Sequence, residues 1–560
     1  MRRRTTTTAC FFISLLTTFS IFATFSLYLT RQQSTNDFTT LTNPSSSSNT
    51  DSLLLSISEE SERVISSTVY DSNPDAILMP DWEILLVFSP DHHLSSFSDD
   101  DRFTCVFQNN DTSPAKLVGI LPFDNRATFK CVLPYRVRRL RPFLQPIFKS
   151  SSQMVMESES SKKELFRWGF LAYESLSTET DVILFAKGVN SRQGLNRSPE
   201  DLHCVFSNGG HNTTIKTAVT SSKQEVFRCR HPDISAFLRI GAETTKISLE
   251  ITKANNSIVP SVAYYTPLPR NLVKMQQKSL ICACTMVYNV GKFLKEWVIY
   301  HSVIGVEKFF LYDNGSDDDL QDVVNELRER NYQVETILWP WSKTQEAGFS
   351  HSATYANDMC TWMMYVDVDE FIYSPSWLKS PNPSSDMLKS LLPRSQRVGQ
   401  VMVKCYEFGP SNQMVHPRDG VTQGYTCRTR MEQRHKSIVL LDAVDISLRN
   451  VVHHFQLRNG YRVKKMSLDN GVVNHYKYQA WSEFRTKFRR RVSAYVVDWK
   501  QGVNLKSKDR TPGLGFEPIE PKGWPQRFCD VHDYRLRDAT RRWFRLDSSS
   551  DRYKMGWQEL

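Results

Sequence analysis

No G-x-G-x-x-G follows the first long apolar strand of this chain, and no G-x-x-x-x-G-K-[ST] occurs anywhere in it. Both motifs bring backbone N–H groups against phosphates, so dinucleotide-dependent enzymes and P-loop nucleotidases are set aside. Zinc-finger and RNA-binding signatures are missing too. The formal net charge of +10 over 560 residues is too small to argue for a nucleic-acid partner. Charge is absent altogether from Ala9 to Leu29, where "ACFFISLLTTFSIFATFSLYL" follows "MRRR", and no clear small-x-small cleavage site closes the run. About 20 apolar residues span a bilayer, and leading arginines stay cytosolic. The expectation is a type II signal anchor over 9–29 with residues 1–8 as its cytosolic tail, rather than a cleaved signal peptide.

What is present then falls into three stretches. Residues 30–74 are Ser/Thr-rich ("STNDFTTLTNPSSSSNTDS"), too polar to bury a core, and read as a stem. Residues 75–268 contain an internal repeat: "FTCVFQNN" with "TFKCVLP" recurs as "LHCVFSNG" with "VFRCRHP". An oxidising lumen makes Cys105–Cys131 and Cys204–Cys229 the natural pairs, with cross-pairing between the copies left open. Alternating stretches such as "DWEILLVFSP" and "TKISLEIT" make this a β-rich accessory module. Its aromatics, Trp82, Trp168 and Tyr173, read as core or as sugar platforms. Sequons at Asn110, Asn196, Asn212 and Asn255 fit a secretory lumen.

From Ser279 apolar strands alternate with helical spacing. "LICACTMVYN", "KFFLYDNGS", "YQVETILW" and "WMMYV" read as four strands, separated by helices at Phe293–Ile304, Leu320–Leu327 and "QEAGFSHSATYANDMC". This order predicts an α/β fold with a Rossmann-like parallel sheet over 279–545, whose ligands collect beyond the strands' carboxyl ends. Asn289, Asp313 and Asp367 fall at those ends, and the sequon at Asn314 belongs to the same loop. Cys282 and Cys284 alternate along the first strand and read as packing residues; Cys405 with Cys427 is a conceivable pair. The basic runs at Phe484–Arg491 and Asp538–Arg545 read either as solvated helix faces or as tracks for an anionic partner.

The fourth strand ends in Asp367-Val368-Asp369-Glu370. In extended chain Asp367 and Asp369 project to one side, roughly 6–7 Å apart. That suits one hard cation, Mn²⁺ or Mg²⁺, and the diphosphate it neutralises. A metal-dependent phosphohydrolase of the haloacid dehalogenase type also carries D-x-D. It is disfavoured by Phe371 in place of Thr or Val and by the extra acid Glu370.

Five ordered motifs, "CTMVYNVGKFLKEWVIYHSVIGVEKFFLYDNGSDDD", "MYVDVDEF", "RHKSIV", "VHHF" and "NHYKY", resemble glycosyltransferase family 92, which includes the plant galactan synthases. The resemblance covers about Ser279 to Trp499. It implies a GT-A fold and a metal-dependent, inverting, Golgi-anchored enzyme that uses a UDP-sugar, with galactose as the sugar and a β-galactan or other wall glycan as acceptor. Carried over, it implies that Asn289, Asp313 and Asn314 line the nucleoside pocket. Asp367 and Asp369 would hold metal and diphosphate, His475 would be a further metal ligand, and Lys436 would bind a donor phosphate. Of His453 and His454, one is expected in the core. Relatives carry Asn-Glu where this chain has Asn289-Val290, which removes any acid at that point.

Inversion in one displacement requires a carboxylate at the acceptor hydroxyl. Glu407, which ends the strand "VGQVMVKCY", ranks first, with Glu370 and Glu432 as alternatives. A pectic, anionic acceptor would employ the basic run at Phe484–Arg491. The competing reading is a non-catalytic glycan-binding protein with a degenerate transferase domain; the intact D-x-D and His475 stand against it.

Overall fold

The computed structural model describes residues 74–91, 102–150, 163–190, 195–207, 214–233, 245–267, 277–494, 520–546 and 553–558. The expected membrane anchor, the stem and the sequon at Asn212 lie outside the described residues. Among the described residues no helix is long and apolar enough to cross a membrane.

The sequence repeat is a repeat of structure. The first sheet orders its strands Ile147–Ser150, Phe103–Val106, Thr112–Ile120, Ala127–Val132, Glu83–Val87, Asp75–Leu78 and Phe166–Arg167. The second sheet places Thr245–Ile251, Leu202–Ser207, Thr214–Lys223, Val226–Cys229, Val182–Lys187 and Leu171–Ser177 in the corresponding order. In each copy the longest strand carries a register irregularity, between Leu117 and Gly119 and between Val219 and Ser221. Such irregularities bend a strand and increase its twist. The bend lets the two flanking strands meet, and the disulfides Cys105–Cys131 and Cys204–Cys229 join them. Each copy has its own apolar core, around Phe129 in the first and Phe206 in the second.

The second half is built on one mixed sheet. Its strands are β1 (Ser279–Val287), β2 (Lys308–Asp313), β3 (Val334–Leu338), β4 (Cys360–Tyr365), β5 (Glu370–Tyr373), β6 (Val398–Glu407), β7 (Gln433–Leu440), β8 (Arg462–Lys465) and β9 (Val472–His475). The order is β3-β2-β1-β4-β7-β6-β9-β5, with β8 beside β6. The longer helices are α1 (Gly291–Val303), α2 (Leu320–Glu329), α3 (Gln345–Tyr355), α4 (Trp481–Ala494) and α5 (Arg535–Phe544). β1 to β4 are mutually parallel; β1, β2 and β4 are buried on both faces, which explains their near-continuous apolar sequences, and β3 is the half-buried edge strand. Beyond β4 the sheet turns antiparallel at β7, which the alternating strand–helix pattern did not foretell.

The cysteines correct two expectations. Cys282 pairs with Cys360, joining β1 to β4, and Cys427 pairs with Cys529. Cys284 and Cys405 are buried and free. Alternation along a strand had suggested packing for both Cys282 and Cys284; only Cys284 has that role, because of the two, which share one face of β1, it is Cys282 whose Cα lies 6.1 Å from that of Cys360. Trp168 and Tyr173 are buried and offer no exposed sugar platform. They pack instead on the second half: Trp168 stacks on Trp341 at 5.9 Å, and its Nε1 donates to the Ser342 carbonyl at 3.0 Å.

Candidate active site

Strand register assembles the site. Tyr365 of β4 lies opposite Ser437 of β7, so the next residues along each strand bring Asp367 alongside Lys436. Glu370 of β5 lies opposite His475 of β9, and Glu407 of β6 flanks the same histidine. Five strands, β4, β7, β5, β9 and β6, thus deliver Asp367, Lys436, Glu370, His475 and Glu407 to one end of the sheet.

The D-x-D segment is a turn rather than an extended chain. Glu370 N–H donates to the Asp367 carbonyl, and Asp367 N–H donates to Glu370 Oε2, both at 2.9 Å. The two aspartates consequently meet different partners. Asp367 Oδ2 accepts from Lys436 Nζ at 3.0 Å, and the same ammonium lies 2.6 Å from Glu370 Oε1 and 2.5 Å from His453 Nε2. Asp369 is ion-paired with Lys487 of α4, and its Oδ2 is 3.3 Å from His475 Nε2. His475 Nδ1 is 3.4 Å from Glu370 Oε1.

Electrostatics follow from burial and these partners. Burial opposes ionisation of Asp367, but Lys436 outweighs it and holds the carboxyl below its ordinary range. Burial likewise opposes ionisation of Asp369, and Lys487 with His475 reverse the balance. Glu370, fully buried, is pushed up by desolvation against the pull of Lys436. Burial with the adjacent Lys436 charge lowers His453, which is the core histidine of the pair; half-buried His454 falls to about 4 through burial and His435.

Asp369, Glu370 and His475 present ligand atoms within 4.8 Å of one another. His475 Nε2 is buried, faces Asp369, and makes no hydrogen bond. An imidazole nitrogen and two carboxylates converging in this way fit Mn²⁺ or Mg²⁺. Asp367 stands outside this trio, joined to it through Lys436, which bridges Asp367 and Glu370 at 3.0 and 2.6 Å. A second cluster, Cys427, Cys529 and His532, is no metal centre, since its two sulfurs are bonded to each other.

A cavity of about 770 Å³ opens over the ends of β1, β2 and β4, and Asn289, Asn314, Asp367 and Asp369 line it. Asn289 exchanges hydrogen bonds with Asp317, and Asn314 donates to the Trp339 carbonyl at 2.7 Å. Asp313 is not among the lining residues; it accepts from Ser316 Oγ at 2.6 Å and fixes the loop.

Three base expectations meet difficulties of geometry. Glu370 is fully buried behind the turn, with both oxygens engaged. Glu407 is held by Lys477 Nζ at 2.6 Å and Tyr478 OH at 3.1 Å, outside the cavity lining. Glu432 sits on a strand margin paired with Lys404. Sequence reasoning missed Lys487, although it lies inside the basic run already singled out, and Glu483 and Gln345, which also line the cavity. The second basic run, on α5, is partly spent on structural contacts such as Arg541 to Gln423 at 3.2 Å.

The profile of Glycosyltransferase family 92 matches residues 277–502. A family 92 protein of Oryza sativa subsp. japonica is 40% identical over 394 residues, 68% of this chain and 67% of its own. The chain belongs to glycosyltransferase family 92. A member from Arabidopsis thaliana is 40% identical over 390 residues, covering 68% of this chain and 67% of that one. One from Ricinus communis is 36% identical over 482 residues, covering 83% and 82%. Its match therefore extends beyond the transferase domain into the repeated β modules. Among solved structures, the mannosyltransferase PcManGT of Pyrobaculum calidifontis, in complex with GDP-Man and Mn²⁺, is 10% identical. It covers 41% of this chain and 65% of its own at a TM-score of 0.25, a likeness too slight to bear on function.

Proposed function

We propose that this chain is a GT-A, metal-dependent, inverting glycosyltransferase that moves a sugar from a UDP-sugar to a glycan acceptor. Galactose is the sugar and a β-1,4-galactan or other wall glycan the acceptor that the family resemblance favours. The observation that carries the reading is the convergence of Asp369, Glu370 and His475 beside the 770 Å³ cavity, which Asp369 lines. A cation held by those residues would supply positive charge to the departing diphosphate. Around it the chain's own residues act as follows. Lys436 keeps Asp367 and Glu370 in place while remaining charged: burial opposes its charge, and the two carboxylates more than restore it. Lys487, on the rim of the cavity, offers a point charge to a phosphate once Asp369 is otherwise engaged. The loop Asp313–Ser316, tied by side-chain hydrogen bonds, presents Asn314 to the nucleoside. We place the protein in the Golgi membrane as a single-pass type II protein with its transferase domain in the lumen.

Calorimetric titration with UDP, with and without Mn²⁺, tests the proposal. Metal-dependent binding is expected in the native protein, with a loss of at least about 100-fold in Asp369→Ala, since a charged ligand group disappears. Absence of UDP binding in the native protein under both conditions would overturn it.

A further inference from the structure

The cavity is not closed by the transferase sheet alone. Part of its lining, including Pro80, Asp81, Glu83, Val118 and Lys130, comes from the first β module. In the register of that module Glu83 lies opposite Val132 and Leu85 opposite Lys130, so these side chains share one face. Glu83 and Lys130 form a pair at 3.0 Å, each about one-third exposed (38% and 33%), on the cavity side. Burial opposes the Lys130 charge, Glu83 outweighs it, and Tyr288 and Asp317 of the transferase domain are near enough to add to the effect. Tyr288 and Asp317 adjoin Asn289 and Ser316, in the loops that follow β1 and β2.

The contact is fitted closely. Gly315, at φ +79°, has Val118 Cγ1 where its own Cβ would be only 3.1 Å away. A side chain there would displace the module as well as strain the loop. On the other side, the Pro80–Trp82 turn packs against α4, the helix that carries Lys487. Asp81 and Trp82 both take left-handed backbone conformations (φ 60° and 65°), and Glu83 N–H closes the turn on the Pro80 carbonyl. The module therefore reaches from the loop after β2 across to α4, over the top of the cavity.

We infer that the first β module supplies one wall of the nucleotide pocket, with the Glu83–Lys130 pair contacting the nucleoside of the donor. A nucleobase and ribose offer hydrogen-bond donors and acceptors at their edges; a carboxylate beside an ammonium matches both kinds. The diphosphate is left to Asp369 and Lys487, which also line the cavity. Nucleotide selectivity then depends on a module outside the matched transferase domain. The inference rests on the transferase reading above.

Its test separates the two. UDP and inorganic pyrophosphate, each with Mn²⁺, are titrated into the native full chain and into Glu83→Ala, Lys130→Met and Asp369→Ala. The module variants are expected to weaken UDP roughly tenfold, the worth of one charge-assisted hydrogen bond, and to leave pyrophosphate unchanged. Asp369→Ala should weaken both. Unaltered UDP affinity in Glu83→Ala and Lys130→Met, with an unchanged unfolding midpoint, would overturn the inference while sparing the transferase reading. Equal weakening of UDP and pyrophosphate would also overturn it, by showing that the pair acts on the diphosphate or on the fold. Failure of the native chain to bind UDP would instead overturn the transferase reading itself.

Discussion

A carboxylate that accepts from a buried lysine and a tyrosine is poorly placed to take a proton from a substrate hydroxyl. Glu407 is in that position: burial opposes its ionisation, Lys477 outweighs the cost, and the acid is held below its usual range. Its work is to fix the segment after β9, on which His475 sits. Glu407→Gln should thus keep transfer within about fivefold of the native rate, since no reacting group is lost. It should lower stability by about 3 kcal/mol, because the buried Lys477 ammonium loses its counter-charge. Turnover and a denaturant midpoint, measured side by side, check the assignment; a loss of a thousandfold in turnover with an unchanged midpoint would restore Glu407 as base. At this scale the sequence made residue types legible but not their partners. The pattern Asp367-x-Asp369 was plain. That Lys436 would claim Asp367, and that His475 would join Asp369 and Glu370, depends on contacts 69 and more positions apart that no local pattern encodes.

The elements β1, β2 and β4 were legible because each is buried on both faces and writes itself as an apolar run between helical periods, and the edge strand β3 because it follows the second of those periods. The strands beyond β4 were harder. Val472–His475 is four residues long, and its meaning comes from lying between β6 and β5. The bridge between β1 and β4 shows what an element-level link does. Cys360 opens β4, whereas the carboxylates follow its other end, about 16 Å away at the usual strand rise. Cys282→Ala is expected to cost about 2–4 kcal/mol by freeing a long loop in the unfolded chain. UDP affinity should stay within twofold, since the change is remote from the cavity. Chemical denaturation in parallel with UDP titration measures both; a matching change in the neighbouring free thiol, Cys284→Ala, should cost about 1 kcal/mol, because only a buried sulfur is lost.

At the scale of the whole molecule, the repeated modules and the transferase sheet share a core. Ile77, Leu85, Tyr173 and Phe185 belong to the same apolar cluster as Phe310, Trp339 and Trp341. Trp341 Nε1 donates to Glu174 Oε2 at 3.2 Å, and Gln224 donates to the Asn450 carbonyl at 2.8 Å, so polar links brace the apolar ones. The repeat itself was visible in the cysteine spacing. Its docking was not, because a buried aromatic in a strand reads the same whether it faces its own sheet or a neighbouring domain. A shared core of this kind predicts that modules and transferase domain unfold together. Calorimetry should show one cooperative transition for the native chain. Trp341→Ala removes the ring between the two parts and should cost about 3–5 kcal/mol, the usual range for a buried large aromatic. The loss falls on the joint rather than inside either core, so the transition should split, the modules and the sheet melting apart. It should also loosen the cavity wall that the first module forms, raising the UDP dissociation constant in step with the splitting. A single transition that merely shifts downward would mean that the parts are coupled through the remaining contacts and that Trp341 is one support among many.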